Sequence, residues 1–454
     1  MPRAIRDTLI SARELLTTVG PFAALAVALL AGAFWLLKPT PPKRVVLATG
    51  AEAGAYAAFG KRYAEELKRY GIEVVLRTSP GSRENLRLLH DPKEDVQVAF
   101  VQGGSTETER VQDEADGKLS LVSLGSMFYE PVWVFYRADA ARKAGKDAVL
   151  SEVTQLRGLR VNVGARGSGT PGMVSRLLRA NLMEREDIVR SNLELTPSVV
   201  ALLNGELDAV AMVSAPEAPM VQMLLQTPGV RLVEFAQAEA YARRYRFLSP
   251  VTLPRGVVDL SRNVPSRDIA MIAATCSLVA REDLHPALIQ LLVQAASRIH
   301  SGSGWIAHAG QFPSPQNTEL PLARDAERYY RTGPPLLQRY LPFWLANLVD
   351  RMWVALFSIA AILIPLARLV PPLYNFRIRS RIFRWYRQLR QIEDQLAHAG
   401  AKFEELAGEL DRLEEKVGRV SVPLSYTDEL YDLRSHIALV RERLRAAMPA
   451  IRPG

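Results

Sequence analysis

Two long apolar segments divide this chain of 454 residues and limit what it can fold into. The first, residues 19–37, carries no charge and has about the 20 residues that a helix needs to cross a bilayer. The second, residues 343–370, is long enough if Asp350, Arg351 and Arg368 reach the interface from near its ends. The sequence therefore predicts two membrane spans that flank one large polar region.

Each span has a competing interpretation. Ala31, Gly32 and Ala33 match the small-residue pattern of a signal-peptide cleavage site, so the first segment could be a removed leader. The apolar run continues directly past these residues and is longer than a usual signal core, which favours an uncleaved anchor. The second segment could instead be a buried core helix. Two spans remain the favoured prediction.

Arginines flank both segments and predict an orientation. Three precede the first span within residues 1–18, and a cluster of six follows the second span at residues 377–390. By the positive-inside rule, both termini lie in the cytoplasm and residues 40–342 lie outside the inner membrane. The chain carries a net charge of +9, but the second cluster adjoins a span, which favours anionic lipid over nucleic acid. The arginines are Arg3, Arg6, Arg13, Arg377, Arg379, Arg381, Arg384, Arg387 and Arg390.

The C-terminal segment, residues 374–454, has apolar residues at alternating spacings of three and four, which is a heptad pattern. Pro423 interrupts it, and residues 427–429 start a second pattern. The sequence predicts an antiparallel helical hairpin, and self-association through the same residues is the competing use. The two sets are Leu389, Ile392, Leu396, Ala399, Phe403, Leu406, Leu410, Leu413, Val417 and Val420, and then Leu430, Leu433, Ile437, Val440 and Leu444.

The polar region alternates β-rich runs with helical runs, once over residues 44–104 and again over residues 159–235. This alternation predicts α/β lobes with doubly wound parallel sheets. Residues 132–137 and 247–253 look like extended crossovers between two lobes. The sequence thus predicts a hinged two-lobed domain over residues 44–312, with the second lobe at about 137–246 and a linker at 313–342.

Five loops follow the predicted strands, at residues 48–56, 78–85, 101–105, 163–170 and 213–219. They are rich in glycine and small polar residues. In such sheets ligands bind outside the carboxyl ends of the strands, where helix N-termini present unpaired N–H groups. The loops could hold a carboxylate with neutral donors, or they could be ordinary strand-to-helix turns. Five such loops favour a binding cleft.

The loops also carry a family resemblance. The motifs ATGAEAGAYAAFG, TSPGSRENLRLL, VAFVQGG, LRGLRVNVGARGSGT and LNGELDAVAMVSAPEAP follow in this order within about residues 44–312. Together they resemble the TAXI-type solute-binding receptors of TRAP transporters. The resemblance implies a two-lobed periplasmic-binding-protein fold that closes on a small organic anion, such as a dicarboxylate or an amino acid of that kind. It also implies a separate sodium-driven permease as partner.

The resemblance implies ten ligand-binding residues, and two arginines inside the loops are possible charge contacts. Glu52 and Ala53 depart from the family's more glycine-rich first loop. The two arginines stand where small or apolar residues are usual, and exposed surface arginines are the default interpretation. The ten are Thr49, Gly54, Tyr56, Ser82, Asn85, Gln102, Ser168, Gly169, Thr170 and Ser214, and the arginines are Arg83 and Arg166.

Enzymatic motifs are missing from the sequence. It contains no Walker-type GK[ST], GxSxG, HExxH or CxxC, and its six histidines match no metal signature. We therefore expect neither catalysis nor a cofactor or metal, and the single cysteine, Cys276, is expected to be a buried small hydrophobe. The cytoplasmic hairpin is an addition to the family pattern. It leaves a second hypothesis open, a transmembrane sensor that reports ligand occupancy to the hairpin.

Overall fold

A computed structural model describes residues 3–37, 40–106, 120–143, 149–334, 337, 340–396, 402–418 and 427–447. The chain forms two compact units, one of Thr40–Asn347 and one of Met1–Pro39 with Leu348–Gly454. The larger unit contains an α/β domain, and the smaller unit is helical.

Ten strands and nine helices build the α/β domain over the described residues. The strands are β1 (Arg44–Ala48), β2 (Glu73–Arg77), β3 (Val98–Gln102), β4 (Leu121–Arg137), β5 (Arg160–Asn162), β6 (Val189–Ser191), β7 (Ala209–Val213), β8 (Val230–Leu232), β9 (Leu248–Leu253) and β10 (Ile269–Arg281). The helices are α2 (Ala55–Lys68), α3 (Ser82–His90), α4 (Ala138–Lys143), α5 (Thr170–Ala180), α6 (Leu195–Asn204), α7 (Pro219–Gln226), α8 (Ala238–Arg244), α9 (Pro286–His300) and α10 (Arg324–Thr332).

The strands form one mixed sheet in the order β2-β1-β3-β10-β4-β7-β5-β6, with β8 beside β4 and β9 beside β10. Within the first lobe β1 is parallel to β2 and β3, and within the second β5 is parallel to β6 and β7. The central pair β4 and β10 is antiparallel. The domain is therefore a two-lobed periplasmic-binding-protein-like fold, as predicted, although its sheet is mixed and not wholly parallel.

Two long strands run from one lobe into the other. The crossover predicted at residues 132–137 is the C-terminal end of β4, which pairs there with β7. The second crossing strand is β10 and not residues 247–253, which form β9 along one side of it. Burial explains the difference, because β10 is buried along nearly its whole length while β9 alternates. A strand buried on both faces gives a continuous apolar run and no alternation.

The core lies on both faces of this sheet. One apolar cluster extends along a single face through both lobes and includes Tyr63, Trp133 and Leu292. The opposite face carries one cluster in each lobe. Cys276 on β10 is fully buried in the large cluster, as the sequence predicted.

Part of the predicted linker belongs to the folded domain. Ser314 and Ser126 exchange backbone hydrogen bonds of 2.8 and 2.9 Å. The backbone N–H of Ala323 donates to the carbonyl of Ser123 at 2.9 Å, and the Tyr330 hydroxyl donates to the carbonyl of Leu124 at 2.8 Å. Residues 314–332 therefore pack along β4, because that strand offers backbone groups which a free linker would leave unpaired.

The remaining helices are α1 (Arg3–Leu37), α11 (Phe343–Ala367), α12 (Val370–Leu396), α13 (Phe403–Gly418) and α14 (Thr427–Ala447). Two stretches, Val19–Leu37 and Met352–Leu373, are long and apolar enough to cross a membrane. Their large side chains are exposed, with Trp35 at 79% and Phe357 at 72%. Exposed apolar surface of this kind suits a lipid environment. The side chains of Arg3, Arg6, Arg13, Arg351, Arg377 and Arg381 lie outside the described residues.

Helices α12 and α14 run parallel in a seven-residue register. Three contacts join residues that lie 50 positions apart, and successive contacts are seven residues apart on both helices, which is the heptad spacing. The contacts are Arg379–Glu429 at 3.1 Å, Tyr386–His436 at 3.2 Å and Glu393–Arg443 at 3.6 Å.

Helix α13 is antiparallel to α14, since Arg441 binds Asp411 and Glu414 while Arg434 reaches the carbonyl of Gly418. This pair matches the predicted hairpin. The difference is α12, which ends at Leu396 and adds a third helix, so the first heptad pattern belongs to two helices. Ala399, Val420 and Pro423 lie outside the described residues. The shared apolar core contains Leu389, Ile392, Leu406, Leu410, Leu413, Val417, Leu430, Leu433, Ile437, Val440 and Leu444.

Candidate functional site

A cleft of about 900 Å³ lies between the two lobes. Its walls are loops that follow the parallel strands of each lobe, which is where the sequence placed the ligand. Eight of the ten predicted ligand residues line it, and so does one of the two predicted arginines. They are Gly54, Tyr56, Ser82 and Gln102 from the first lobe, and Ser168, Gly169, Thr170, Ser214 and Arg166 from the second.

Four helices begin at this cleft. The residues that precede them are Gly54 before α2, Gly81 before α3, Gly169 before α5 and Glu194 before α6, and all four line the cleft. None of these four described residues caps its helix with a side-chain hydrogen bond. The first N–H groups of a helix have no partner within the helix and carry a partial positive charge. The cleft is therefore suited to an anion.

The lobes touch along one rim of the cleft. The N–H of Glu84 in the first lobe donates to the carbonyl of Gly167 in the second at 3.1 Å. A Cβ on Gly81 would lie 3.2 Å from the Cα of Ser168, and a Cβ on Gly169 would overlap the side-chain amide of Gln102. Gly81 requires glycine because the two backbones approach closely there and its φ is +138°, whereas the close neighbour of Gly169 is the buried side chain of Gln102.

Glu130 forms part of the cleft lining, on β4, and is only 1% exposed. The Tyr56 hydroxyl donates to Oε2 of Glu130 at 2.9 Å and lies 3.1 Å from Oγ of Ser82. The N–H of Gln102 donates to the same Oγ at 2.9 Å. Burial raises the pKa of Glu130 to about 8, and the hydrogen bond from Tyr56 opposes that rise. Burial likewise raises the pKa of Tyr56.

Sequence reasoning missed Glu130. The sequence contains one weak indication of a special role, because Glu130 is the only acidic residue in the 17 residues of β4. Reasoning also missed the N-terminus of α6, because the preceding loop has no glycine. That loop is held by Asn162, whose Oδ1 accepts bonds from the N–H of Leu193 at 2.8 Å and from Oγ of Ser191 at 3.0 Å.

Two predicted ligand residues are placed behind the cleft wall. Asn85 is fully buried, and its Nδ2 donates to the carbonyls of Thr49 at 2.7 Å and Phe100 at 2.8 Å. Its Oδ1 accepts from Oγ of Ser79 at 2.6 Å. The hydroxyl of Thr49 donates to the carbonyl of Arg77 at 3.3 Å. Thr49 and Asn85 therefore hold the loops after β1 and β2 to each other and to β3, and they do not line the cleft.

The remaining predicted side chains take different positions. Arg83 is exposed and does not line the cleft, whereas Arg166 lines it and is exposed at its rim. Ser168 uses its hydroxyl to donate to the carbonyl of Ala165 at 2.8 Å, which orders the loop before α5. The carbonyl of Ser214 accepts from the indole N–H of Trp133 at 2.8 Å. Across the described part of the chain, no cluster of three or more His, Cys, Asp or Glu residues is placed to hold a metal ion.

The NMT1-like family model matches residues 47–332, which covers the two lobes and the segment packed along β4. The chain belongs to the NMT1-like family. Its matched residues include every residue that lines the cleft.

Several solved structures are similar to the chain at low identity. The periplasmic aliphatic sulphonate binding protein SsuA from Escherichia coli is 15% identical, with 74% of this chain and 94% of that chain covered and a TM-score of 0.36. The alkanesulfonate-binding protein SsuA from Xanthomonas axonopodis pv. citri, bound to MOPS, is 14% identical, with 70% and 94% covered and a TM-score of 0.37. The CcmR regulatory domain of Synechocystis PCC6803, in complex with 2-PG, is 15% identical, with 57% and 98% covered and a TM-score of 0.36. These values identify no ligand for this chain.

Proposed function

We propose that the two-lobed domain is a membrane-tethered, extracytoplasmic binding protein that captures a small organic anion. The observation that carries the proposal is the cleft surrounded by four helix N-termini without side-chain caps. An anionic group bound there would receive N–H donors from both lobes and would hold them together. The ligand class is a carboxylate or an amino-acid-like anion, and Arg166 at the rim adds one positive charge.

The size of the cleft agrees with this ligand class. Its volume of about 900 Å³ lies in the range of about 300–1,000 Å³ that is usual for small-molecule sites. Side-chain hydroxyls in the cleft already form hydrogen bonds within the protein: Ser168 donates to a loop carbonyl, and Ser82 accepts from a backbone N–H. The main donors left for a ligand are therefore backbone N–H groups. Such a site binds and orients an anion without reacting with it.

We further infer that the protein serves a TRAP-type permease as a TAXI-type receptor. The support is the ordered set of loop motifs, together with the position of most of their polar residues in one cleft. The proposed location is the inner membrane, with the binding domain in the periplasm or outside and both termini in the cytoplasm. The two apolar helices and the flanking arginines support this location.

The bundle of α12, α13 and α14 supports a second candidate function. A receptor that only delivers a ligand has no need for a packed cytoplasmic bundle with its own apolar core. A transmembrane sensor would use such a bundle to report that the cleft is occupied. Deleting residues 402–447 should leave ligand uptake unchanged under either function. A cytoplasmic response to the ligand that is lost on deletion would identify a sensor, whereas a transport receptor has no such response to lose.

A thermal-shift screen of the purified chain tests the proposed binding. Each organic acid or amino acid is paired with its uncharged amide or ester as a matched control. A ligand at 100 times its Kd stabilises the folded state by about 2.7 kcal/mol, which raises Tm by roughly 4 °C for a domain of about 300 residues. We expect the anion and not its uncharged control to give this shift. Equal shifts from both members of a pair would contradict an anion site.

A further inference from the structure

The cleft lining contains one buried acid, Glu130, where the proposed function calls for an anion. We propose that Glu130 holds a proton and donates it in a hydrogen bond to the captured anion, so that binding takes up one proton from solvent at alkaline pH. This inference rests on the proposed function and specifies how the site recognises its ligand. No covalent bond changes, and the proton returns to solvent when the anion leaves.

The surroundings of Glu130 favour its neutral form. Its carboxyl accepts one hydrogen bond, from Tyr56, and across the described residues it forms no ion pair. A buried carboxylate loses the solvation of its charge. Without a neighbouring cation, the single hydrogen bond from the Tyr56 phenol does not offset this loss. Arg166, the arginine that lines the cleft, is exposed at its rim and forms no ion pair with Glu130.

Each element packed around Glu130 presents a neutral group. Tyr56 comes from α2, Ser82 from α3 and the N–H of Gln102 from β3. Cys276 on β10 also faces this cluster, and burial raises the pKa of its thiol as it does that of Tyr56. Because both groups stay protonated in the working range, Glu130 is the group that can titrate there. The other carboxylates of the cleft, Glu52 and Glu194, are exposed.

If Glu130 were charged instead of neutral, the cleft would select a different kind of ligand. A charged Glu130 would repel an anion held by the helix N-termini, and it would instead attract an ammonium group. The two assignments predict opposite responses to pH. If the neutral form binds, affinity falls by about tenfold for each pH unit above the midpoint of Glu130 titration. If the charged form binds, affinity rises with pH until the ammonium group loses its proton.

The test uses the full chain in detergent with succinate, L-malate and methanesulfonate as probes. Calorimetric titrations at pH 8.5 in two buffers of different ionisation enthalpy count the protons taken up. We expect net uptake in the wild type and an affinity for the probe that falls from pH 7 to pH 9. Glu130→Gln should make the affinity independent of pH. Glu206→Gln changes an exposed carboxylate outside the cleft and should keep the wild-type dependence.

Tyr56→Phe supplies a second variant if Glu130→Gln does not fold. The phenol stabilises the charged carboxylate, so its removal should move the midpoint of the affinity profile to higher pH. Proton release, or a probe affinity that does not change with pH in the wild type, would overturn this inference alone. If no organic anion binds the wild type at any pH, neither these probes nor any acid of the thermal-shift screen, the proposed function is overturned together with it.

Discussion

Asn85 donates a hydrogen bond of 2.7 Å from Nδ2 to the carbonyl oxygen of Thr49, and neither residue lines the cleft. The family resemblance implied that both residues bind the ligand. In the structure they fix the loops that carry the binding groups. Asn85 is thus a positioning residue, and its loss should affect stability before it affects ligand contacts.

Asn85→Ala should destabilise the domain of residues 40–347. The substitution leaves the carbonyls of Thr49 and Phe100 and the hydroxyl of Ser79 without this partner. Buried groups left without partners cost about 1–3 kcal/mol each, so we expect a loss of roughly 3 kcal/mol in urea unfolding. Asn192→Ala is the control, because Asn192 is exposed and makes one bond, to Gly164. Unchanged stability in Asn85→Ala would show that the hydrogen bonds of Asn85 do not stabilise the domain.

Gly169→Ala should weaken anion binding by at least tenfold. Its new Cβ would overlap the amide of Gln102, so this buried side chain of the cleft lining must move away from the N-terminus of α5. Gly172→Ala is a matched control three residues further along the same helix, where a Cβ meets nothing within 4 Å. Because alanine favours a helix over glycine by about 1 kcal/mol, the control should be slightly more stable with unchanged affinity. Equal affinities in both variants would place the ligand away from this helix.

His300 should make the stability of the domain depend on pH. Its ring packs against Phe59, Tyr63 and Phe128 at centroid distances of 4.7, 5.8 and 5.4 Å. Burial, helped by the positive charge of Arg62, lowers the pKa of His300 to about 3. The unfolded chain binds this proton below about pH 6.5, so stability is complete above that value and falls as the pH decreases towards 3.

The measurement compares His300→Phe with the wild type at pH 7 and pH 5. Lowering the pH should cost the wild type about 2 kcal/mol more than the variant. The comparison must be between variants, because Glu130 acts in the opposite sense. Its raised pKa makes stability fall as the pH rises from 4.5 towards 8. Equal pH profiles in the two proteins would contradict a neutral buried His300.

Spin labels in the full chain test the bundle of α12, α13 and α14. The only native cysteine, Cys276, is buried and should not react. Labels at Glu409 and Arg445 should lie within roughly 20 Å if α13 and α14 pack side by side, whereas one continuous helix would separate them by about 54 Å. Labels at Gln388 and Ala438 should also be close, because α12 and α14 share their register. A separation near the larger value for Glu409 and Arg445 would contradict the bundle and indicate one continuous helix in a coiled coil.

Reporter fusions test the orientation of the chain. Basic residues flank both apolar segments on their proposed cytoplasmic sides. A reporter that is active only in the periplasm should be inactive after Gly454 and active after Gly310. A signal after Gly454 would show that the chain crosses the membrane an odd number of times.

The alternation of helices and strands was predictable because each element has its own period and its own loop residues. The runs at residues 44–48, 55–68 and 98–102 were recognised in this way. The role of β10 was not predictable, because a strand buried on both faces has the same apolar sequence wherever it lies in the sheet. The packing of α12 with α13 and α14 was not predicted for a related reason. A heptad pattern shows which residues of a helix are buried but not how many helices pack against them.

The site could be located from its loops, because close backbone approach requires glycines and these stand out in a sequence. Gly81, where an added Cβ would lie 3.2 Å from the Cα of Ser168, is such a position. The direction of individual side chains could not be predicted. Asn85 and Ser82 are three residues apart on the same helix, yet only Ser82 lines the cleft. For Glu130 the sequence offered only its isolation as the one acid in β4, because its environment is created by α2 and β10, which are distant in the sequence.

The most direct test of the central claim is the position of a bound anion. A crystal structure with an anion from the thermal-shift screen should show it between the lobes. Its charged oxygens should lie about 2.7–3.2 Å from backbone N–H groups at the start of at least two of the helices α2, α3, α5 and α6. Electron density for the anion outside the cleft, or an anionic group directed away from all four helix N-termini, would contradict the account.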